Sequence, residues 1–392
     1  MLSDARQQEV IEFCQKLVSI PSTSGHEEAV AEALQAKMRG LGYHDVWSDG
    51  QGNVIGKIKG DGGRSLLFDG HLDTMPVTDR EEWTYDPFGG QIVGGNLHGR
   101  GAVDMKGGIA AMVCGLGYLI QDAITLRGDI YVSGTVGEEI VEVGAIASVI
   151  ERISPAFVVI AEGTNLGVAI AQRGRARIEL ETQGRIAHAA YPERGVNAIT
   201  KMMRVIEAIE QLPVPQDPLL GNGVIVLTGI VSVPYPGLCS VPYGCLATFE
   251  RRVLPGESEE DLLRQVEGAV NWAKALDPEV ETRVHMGVES FRAYTGVTVS
   301  AKAFAPAWKT DVNSEIVQRA LAGLRSVGLN SSVSKYMFAT NGSYSAGIRR
   351  IPTIGFGPGS ESVAHMKDEY VPVEQLVGAA AGYYGIAKEV LS

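Results

Sequence analysis

Histidine and carboxylate side chains recur where apolar segments of this chain end. The run SLLFDGHLDTMPV places His71 and Asp73 at the point where a predicted strand leaves its sheet. Open α/β sheets bind their ligands at the carboxyl ends of strands. Side chains two residues apart on an extended segment share a face, so Asp73 can accept a hydrogen bond from one ring nitrogen of His71 and leave the other for a metal. Taken alone, the pair is more typical of an ordinary loop.

Three further segments place carboxylates in similar positions. Asp104 lies in a glycine-rich turn before an apolar helix, where it could cap the helix or bridge two metals with its two oxygens. Glu138 and Glu139 are adjacent between a predicted strand and a predicted helix, a position that also suits a solvated turn. Glu162 ends a very apolar run. Each of these segments is a weak signal by itself.

A second histidine completes the pattern near the C-terminus, where His365 lies in the polar segment SVAHMKDEYV. The combined set offers imidazole and carboxylate ligands without thiolates, which suits two Zn²⁺-like ions with open positions for water. The sequence therefore predicts a centre with two divalent metal ions. Zn²⁺ is the expected metal, and Co²⁺ or Mn²⁺ would also fit.

Composition restricts the partners of the chain. Lys and Arg total 34 and Asp and Glu total 46, which gives a formal net charge of −12. This balance argues against nucleic acids and anionic membranes, because binding to phosphates relies on Lys and Arg. We expect no apolar run to approach the roughly 20 residues that span a bilayer. The charged, periodic N-terminus and the absence of C-x-x-C pairs indicate a cytoplasmic protein with reduced cysteines.

The order of predicted elements indicates two domains, as the length of 392 residues also suggests. Apolar runs such as DIYVSGTV and AFVVIAEG alternate with helical stretches, which predicts an α/β domain with a mostly parallel mixed sheet. From about Arg175 the order becomes β-α-β-β-α-β, the ferredoxin-like pattern. We expect a discontinuous catalytic domain over 1–174 and 291–392, and an inserted lid or dimerisation domain over 175–290. A helix over Ser22–Gly40, capped by Ser24, is also expected.

The motifs together resemble a known family. GHLDT, GRGAVDMKGG, GEE, AEG and AHMKDE occur in the order typical of the metallohydrolases that include acetylornithine deacetylase, succinyl-diaminopimelate desuccinylase, aminoacylase and carboxypeptidase G. The similarity extends from about Arg6 to the C-terminus. It implies a zinc-peptidase-like catalytic domain and a homodimer formed through the inserted domain.

By this resemblance, each metal has a histidine and a glutamate of its own. His71 and Glu162 would bind one ion, Glu139 and His365 would bind the other, and Asp104 would bridge the two.

Two more residues receive roles beside the ligands from the same resemblance. Asp73 would orient His71. Glu138 would be the general base, which takes a proton from water and returns it to the leaving amine while the ions lower the pKa of that water and polarise the carbonyl.

The inserted domain and one later loop carry the candidates for substrate contact. The resemblance implies that His188 in GRIAHAA reaches a neighbouring active site and stabilises the oxyanion, although a lone histidine before a helix is often structural. Arg252 matches the arginine that holds a substrate carboxylate with its planar donor fork, whereas Arg251 alternates to the opposite face. Asn341 is the other candidate for substrate binding.

Two departures from the family pattern concern substrate contacts. Cys239 stands where many relatives have an asparagine, and Thr340-Asn341 stands where many have a Thr-Asp pair. The identity of the substrate is therefore not transferred from the family.

The expected function is two-metal hydrolysis of an amide bond in an N-acyl amino acid or dipeptide that bears a free carboxylate. Deacylase and carboxypeptidase activities are not separated, because both need the same metals and the same anchor. A carbamoyl or ureido amidohydrolase is the alternative. An inactive metal-binding assembly or sensor protein is a further one, but such proteins often lack the base, and Glu138 is present. The chain has no G-x-S-x-G elbow that would indicate a serine hydrolase.

Overall fold

The computed structural model describes residues 2–392. The helices are α1 Asp4–Val18, α2 Glu28–Gly40, α3 Gly107–Gln121, α4 Gly144–Ile153, α5 Ala198–Glu210, α6 Glu259–Leu276, α7 Glu315–Ser326 and α8 Val373–Val390.

The strands, in chain order, are β1 Asp45–Ser48, β2 Val54–Ile58, β3 Leu66–His71, β4 Ile92–Val93, β5 Asn96–His98, β6 Ile130–Thr135, β7 Phe157–Ile160, β8 Val168–Gln172, β9 Gly174–Gln183, β10 Ala187–His188, β11 Gln216–Asp217, β12 Gly221–Asn222, β13 Val224–Val233, β14 Ser240–Val241, β15 Gly244–Val253, β16 Glu281–Met286, β17 Val288–Arg292, β18 Thr298–Lys302, β19 Phe304–Ala305, β20 Trp308–Lys309, β21 Val333–Tyr336, β22 Thr353–Gly355 and β23 Tyr370–Pro372.

The chain folds into two compact units. The first comprises the chain up to Gln172 together with Ser290–Ala301 and Trp308–Ser392. The second comprises Arg173–Glu289 and Lys302–Ala307.

The first unit is built on a nine-stranded mixed sheet with the order β1-β2-β6-β3-β7-β22-β8-β20, in which β21 also pairs with β8. The four central strands, β6, β3, β7 and β22, are mutually parallel, whereas β1, β2 and β20 are antiparallel to their neighbours. The predicted α/β class with a mostly parallel sheet is confirmed.

The central strands are buried on both faces, as expected when helices cover a parallel sheet. Every residue of β3 and of β7 is buried, which explains why the first half of β3 and all of β7 are continuous apolar runs instead of alternating ones. Helix α3 is also buried along most of its length and packs closely on α8. These buried elements form a rigid support for the segments that follow each strand.

Helix α2 starts later than the sequence predicted. It begins at Glu28, and the hydroxyl of Ser24 does not cap it but donates to Oδ2 of Asp73 at 2.7 Å. A serine next to a helical pattern is typical of a helix cap. This prediction was wrong because the competing acceptor, Asp73, lies 49 residues further along the chain, where a local pattern does not show it.

The second unit has the element order β9-α5-β13-β15-α6-β16, with short strands between them. Its sheet has the order β13-β15-β9-β16, with β19 also paired to β9, and the adjacent strands are antiparallel. Apolar residues of α5 and α6 pack on one face of this sheet. The roles of this unit as a lid and as a dimerisation domain stay predictions.

One segment is more apolar than the sequence analysis expected. Ala102–Gln121 is long and apolar enough to cross a membrane by length and composition, so the expectation that no run approaches this length is wrong. However, 94% of the window is buried inside the protein, as in the core helix of a globular fold.

Close packing between α7 and α8 predicts a measurable effect of one methyl group. A Cβ atom at Gly385 would collide with the backbone carbonyl of Gly323 on the facing helix. We expect Gly385→Ala to lower the free energy of unfolding by ~1–3 kcal/mol in urea denaturation. Gly40→Ala is the matched control, because Gly40 ends α2 with open space around it. If both variants keep the wild-type stability, the result would contradict the close approach of α7 and α8.

Candidate metal centre

The predicted ligands follow neighbouring strands of the large sheet. Strands β6, β3 and β7 are adjacent and parallel, so their carboxyl ends lie at the same edge. His71 is the last residue of β3, Glu138 and Glu139 come shortly after β6, and Glu162 comes two residues after β7. The topology therefore brings together residues that are far apart in the chain.

Asp104 belongs to the irregular turn that precedes α3. The backbone amides of Val103 and Asp104 donate to Oε1 of Glu369 at 3.0 and 3.1 Å. The guanidinium of Arg100 donates to the other oxygen of Glu369 at 2.7 Å, and both side chains are buried. This buried ion pair fixes the turn that carries Asp104.

The carboxylate of Asp104 lies between two histidine–glutamate pairs. Its Oδ1 is 3.0 Å from Nε2 of His71, and its Oδ2 is 3.0 Å from Nε2 of His365. The same nitrogen of His71 is 3.3 Å from Oε1 of Glu162, and that of His365 is 3.0 Å from Oε2 of Glu139. All five predicted ligands are therefore together, with one oxygen of Asp104 facing each pair.

The residues of this cluster fit metal ions. Ligand atoms of His71, Asp104 and Glu139 lie within 4.8 Å of one another, a spacing compatible with metal binding. Oε1 of Glu139 is buried and has no hydrogen-bond partner among residues 2–392. A buried, unpartnered carboxylate oxygen is expensive unless a cation compensates it. The donors are imidazoles and carboxylates, the types that bind Zn²⁺, Co²⁺ or Mn²⁺.

Protons compete with metals for the same atoms. Burial opposes the charged form of His71, but hydrogen bonds to carboxylates, first that of Asp104, raise its pKa well above the ordinary value. Hydrogen bonds to Asp104 and Glu139 raise the pKa of His365 to about 10. Burial, together with the charge of Asp104, raises the pKa of Glu162 to about 7. Protons must therefore leave when metals bind at neutral pH.

Glu138 lies beside the cluster without joining it. Its carboxylate forms no hydrogen bond or ion pair with any other residue in the range 2–392, although the residue is only 7% exposed. Burial raises its pKa well above the usual range; His71 opposes this shift, and the charges of Glu162 and Glu139 add to it. An unpaired carboxyl group with a raised pKa suits a group that takes up a proton and gives it back.

Asp73 contacts both His71 and the loop after β6. Nδ1 of His71 is 2.9 Å from the backbone oxygen of Asp73 and 3.5 Å from its Oδ1, so the main chain is the nearer partner of the ring. The carboxylate accepts hydrogen bonds from the backbone amides of Glu138 and Glu139 at 3.1 and 3.0 Å. The sequence predicted the contact of Asp73 with the ring of His71, but not its hydrogen bonds to the loop after β6.

His188 lies in the second unit, exposed at the end of β10. Its Nδ1 accepts a hydrogen bond from the backbone amide of Ala190 at 3.0 Å. In its neutral form the ring therefore carries its proton on Nε2, where it can donate. The neighbouring amide of Ala189 donates to the carbonyl of Cys239 at 2.9 Å. Cys239, one of the two positions that differ from the family pattern, therefore contacts the residue next to His188.

The two adjacent arginines of β15 differ in their environment. Arg251 is 1% exposed and donates to Glu257 at 2.5 Å. Arg252 faces the other side of the sheet, and its guanidinium forms no ion pair or hydrogen bond within the described part of the chain. The carboxylate of the neighbouring Glu250 forms an ion pair with Arg175, whose Nε lies 2.9 Å from Oε2 of Glu250. Arg252 is therefore the guanidinium on this strand that remains available to a ligand.

Asn341 is buried and its amide nitrogen is already engaged. It donates to Oδ2 of Asp69 at 2.8 Å and to Oγ1 of Thr135 at 2.9 Å. These bonds join β3 and β6 near their carboxyl ends. Substrate binding by Asn341 stays a prediction.

Sequence reasoning gave no role to Arg100 and Glu369. Both belong to motifs that were recognised, GRGAVDMKGG and AHMKDE. Their pairing over 269 positions is invisible in one sequence, and the only signal was a charged residue inside each motif.

Comparison with known proteins identifies the family. Residues 67–389, which include all five predicted ligands and Glu138, match the peptidase family M20/M25/M40. The chain belongs to this family. The resemblance inferred from the motifs is confirmed, and so is the prediction of a metal-dependent hydrolase.

Relatives match nearly the whole chain. The uncharacterized protein YgeY of Escherichia coli strain K12 is 33% identical over 388 residues, covering 97% of this chain and 94% of that protein. Succinyl-diaminopimelate desuccinylase of Methylocella silvestris is 28% identical over 395 residues, covering 96% of each. YxeP of Bacillus subtilis, a dinuclear metal-binding peptidase of the M20 family, has the same fold, with a TM-score of 0.74, 14% identity and 99% of each chain covered.

The raised pKa values of the two histidines predict that metal binding releases protons. At pH 7, in metal-free protein, both rings carry a proton that a metal must displace, so the apparent affinity should fall as the pH is lowered from 8 to 6. Calorimetric titration with Zn²⁺ in buffers of different ionisation enthalpy should give at least two protons released per fully loaded chain, two from the rings and a further part from Glu162, whose pKa is about 7. Binding without proton release, with an affinity independent of pH, would contradict the ligand assignment.

Proposed function

We propose that this protein hydrolyses an amide bond in an N-acyl amino acid or small peptide that bears a free carboxylate, with the help of two divalent ions. The observation that carries the proposal is the position of Asp104, with one oxygen toward each histidine–glutamate pair. His71 and Glu162 would hold one ion, His365 and Glu139 the other. Zn²⁺ is the proposed metal, since the donors are imidazoles and carboxylates.

The bound ions would lower the pKa of water and polarise the substrate carbonyl. Glu138 is the proposed general base because its carboxyl group is buried next to the ligands and free of partners. It takes a proton from the attacking water and passes it to the nitrogen of the leaving amine. Asp73 holds the backbone of Glu138 in place during both transfers.

The second unit supplies the proposed substrate contacts. The free guanidinium of Arg252 matches a carboxylate in charge and in geometry. The Nε2 donor of His188 suits an oxyanion, such as the one that forms when water adds to an amide carbonyl. The name of the desuccinylase relative describes the removal of an acyl group from an amino acid, which supports a substrate of this class.

We further propose that the protein is a cytoplasmic homodimer formed through the second unit. The outward side of its sheet exposes large apolar side chains, including Val226 at 48%, Val231 at 42% and Leu246 at 41%. Contiguous exposed apolar surface of this kind is typical of an interface. Sedimentation of the wild-type protein should give a mass twice that of the chain, and a monomer at micromolar concentration would contradict the proposal.

A screen for amine release tests the activity. Protein reconstituted with Zn²⁺, Co²⁺ or Mn²⁺ should release amine from one class among N-acetyl amino acids, N-succinyl amino acids and dipeptides. Release from N-carbamoyl amino acids alone would favour the ureido alternative instead. If metal-loaded protein releases amine from no compound, the proposed function is wrong and the inactive-protein alternative is favoured.

The adjacent glutamates should behave differently when they are neutralised. Glu138→Gln should lower kcat by at least ~100-fold, the scale of a lost general base, and keep both metals. Glu139→Gln, its matched control, should also lose one of the two metals, because Glu139 is a proposed ligand. Metal content measured by mass spectrometry beside kcat separates the roles. Equal metal loss in both variants would contradict the proposal that Glu138 is the general base and Glu139 a metal ligand.

Truncating Arg252 should weaken substrate binding. Arg252→Ala should raise KM by roughly 10-fold or more, the scale of a charge-assisted hydrogen bond lost in a binding site, and leave metal content unchanged. Arg264→Ala is the control, since Arg264 is an exposed arginine of α6 in the same unit. An unchanged KM for Arg252→Ala would remove this residue from the substrate site.

A further inference from the structure

The loop after β6 is held by its backbone amides. Four successive amides donate to side chains from three other segments of the first unit: Val136 to Oδ1 of Asn53 at 3.0 Å, Gly137 to Oε1 of Glu27 at 3.1 Å, Glu138 to Oδ1 of Asp73 at 3.1 Å and Glu139 to Oδ2 of Asp73 at 3.0 Å. We call this loop, residues 136–139, the glutamate loop. A run of satisfied amides of this length leaves the loop backbone little freedom.

Gly137 is the point where the glutamate loop turns. Its φ of +65° is a conformation that other residues rarely adopt, and the ring of Phe291 fills the space where a Cβ atom would lie. Because glycine has no side chain, the backbone at Gly137 has more torsional freedom than its neighbours unless a hydrogen bond fixes it. Its amide is bound by the carboxylate of Glu27.

The setting of Glu27 is unusual for a glutamate. The residue is fully buried just before α2, and its Oε2 has no hydrogen-bond partner among the described residues. It makes no hydrogen bond to cap α2. Burying a carboxylate with an unpaired oxygen is unfavourable. Its Oε1 accepts from the amide of Gly137 at 3.1 Å, and the backbone amides of Gly25 and of Glu27 itself also act on the carboxylate.

We propose that Glu27 is a positioning residue for the reaction and sets the directions of the Glu138 and Glu139 side chains. This inference rests on the proposed function. Asp73 holds the two amides that follow Gly137, and Glu27 holds the amide at the turn itself. Loss of the Glu27 contact would let the turn rotate and move the carboxyl group of Glu138 relative to the reacting atoms. A misplacement of about 1 Å can reduce a rate by about 100-fold.

Three variants separate positioning from a general effect on folding. Glu27→Ala removes the acceptor. Glu27→Gln keeps an acceptor oxygen for the amide of Gly137 but removes the charge. Val30→Ala opens a cavity at a fully buried position of α2 without removing a hydrogen bond to the glutamate loop.

The kinetic result expected is a change in kcat without a change in KM. Glu27→Ala should lower kcat by about 10- to 100-fold at saturating metal, with KM within about twofold of wild type. Glu27→Gln should restore most of the rate, and Val30→Ala should keep it. Unchanged kcat in Glu27→Ala, or an equal loss in Glu27→Gln, would overturn the proposal.

Hydrogen exchange tests the positioning without any substrate. Overlapping peptides across residues 136–139, followed by mass spectrometry, should show faster amide exchange in Glu27→Ala than in wild type, Glu27→Gln or Val30→Ala. Exchange equal to wild type in Glu27→Ala would overturn the proposal even if activity falls. If wild-type protein hydrolyses none of the screened amides, the proposed function fails, and this measurement still decides whether Glu27 holds the loop.

Discussion

Carboxylates that are close together in a buried place repel one another, and each must be compensated by a hydrogen bond, an imidazole or a cation. The fold of the first unit meets this requirement at the edge where β6, β3 and β7 end. Asp104 is compensated by two histidine rings, Asp73 by a pair of backbone amides, and Glu369 by such a pair and the guanidinium of Arg100. Oε1 of Glu139 has no compensating partner in the described chain, and it belongs to the cluster that fits metal ions.

The same requirement explains how loops can carry reactive groups without losing their geometry. Loops are usually the mobile part of an α/β protein. Here the turn before α3 is fixed by Glu369, and the loop after β6 is fixed by Asp73 and Glu27, all three of which are buried. The carboxylates that support the site are therefore distinct from those proposed to bind metal or move protons.

Part of this arrangement could be predicted from sequence because its signals are local. A buried parallel strand is a continuous apolar run, and a polar residue directly after it falls at the ligand-binding edge, which located His71 and Glu162. The contacts that fix the loops join distant segments, as Arg100 and Glu369 do over 269 positions, so a single sequence does not show them. Ser24 illustrates the resulting error, since local pattern predicted a helix cap and the fold uses its hydroxyl for Asp73.

We propose that Asp104 bridges two metal ions, one beside His71 and Glu162 and the other beside His365 and Glu139. A crystal grown with Zn²⁺ and measured on both sides of the zinc absorption edge tests it most directly. Two anomalous peaks per chain are expected, one on each side of the Asp104 carboxylate. A single peak, or peaks away from these residues, would contradict it.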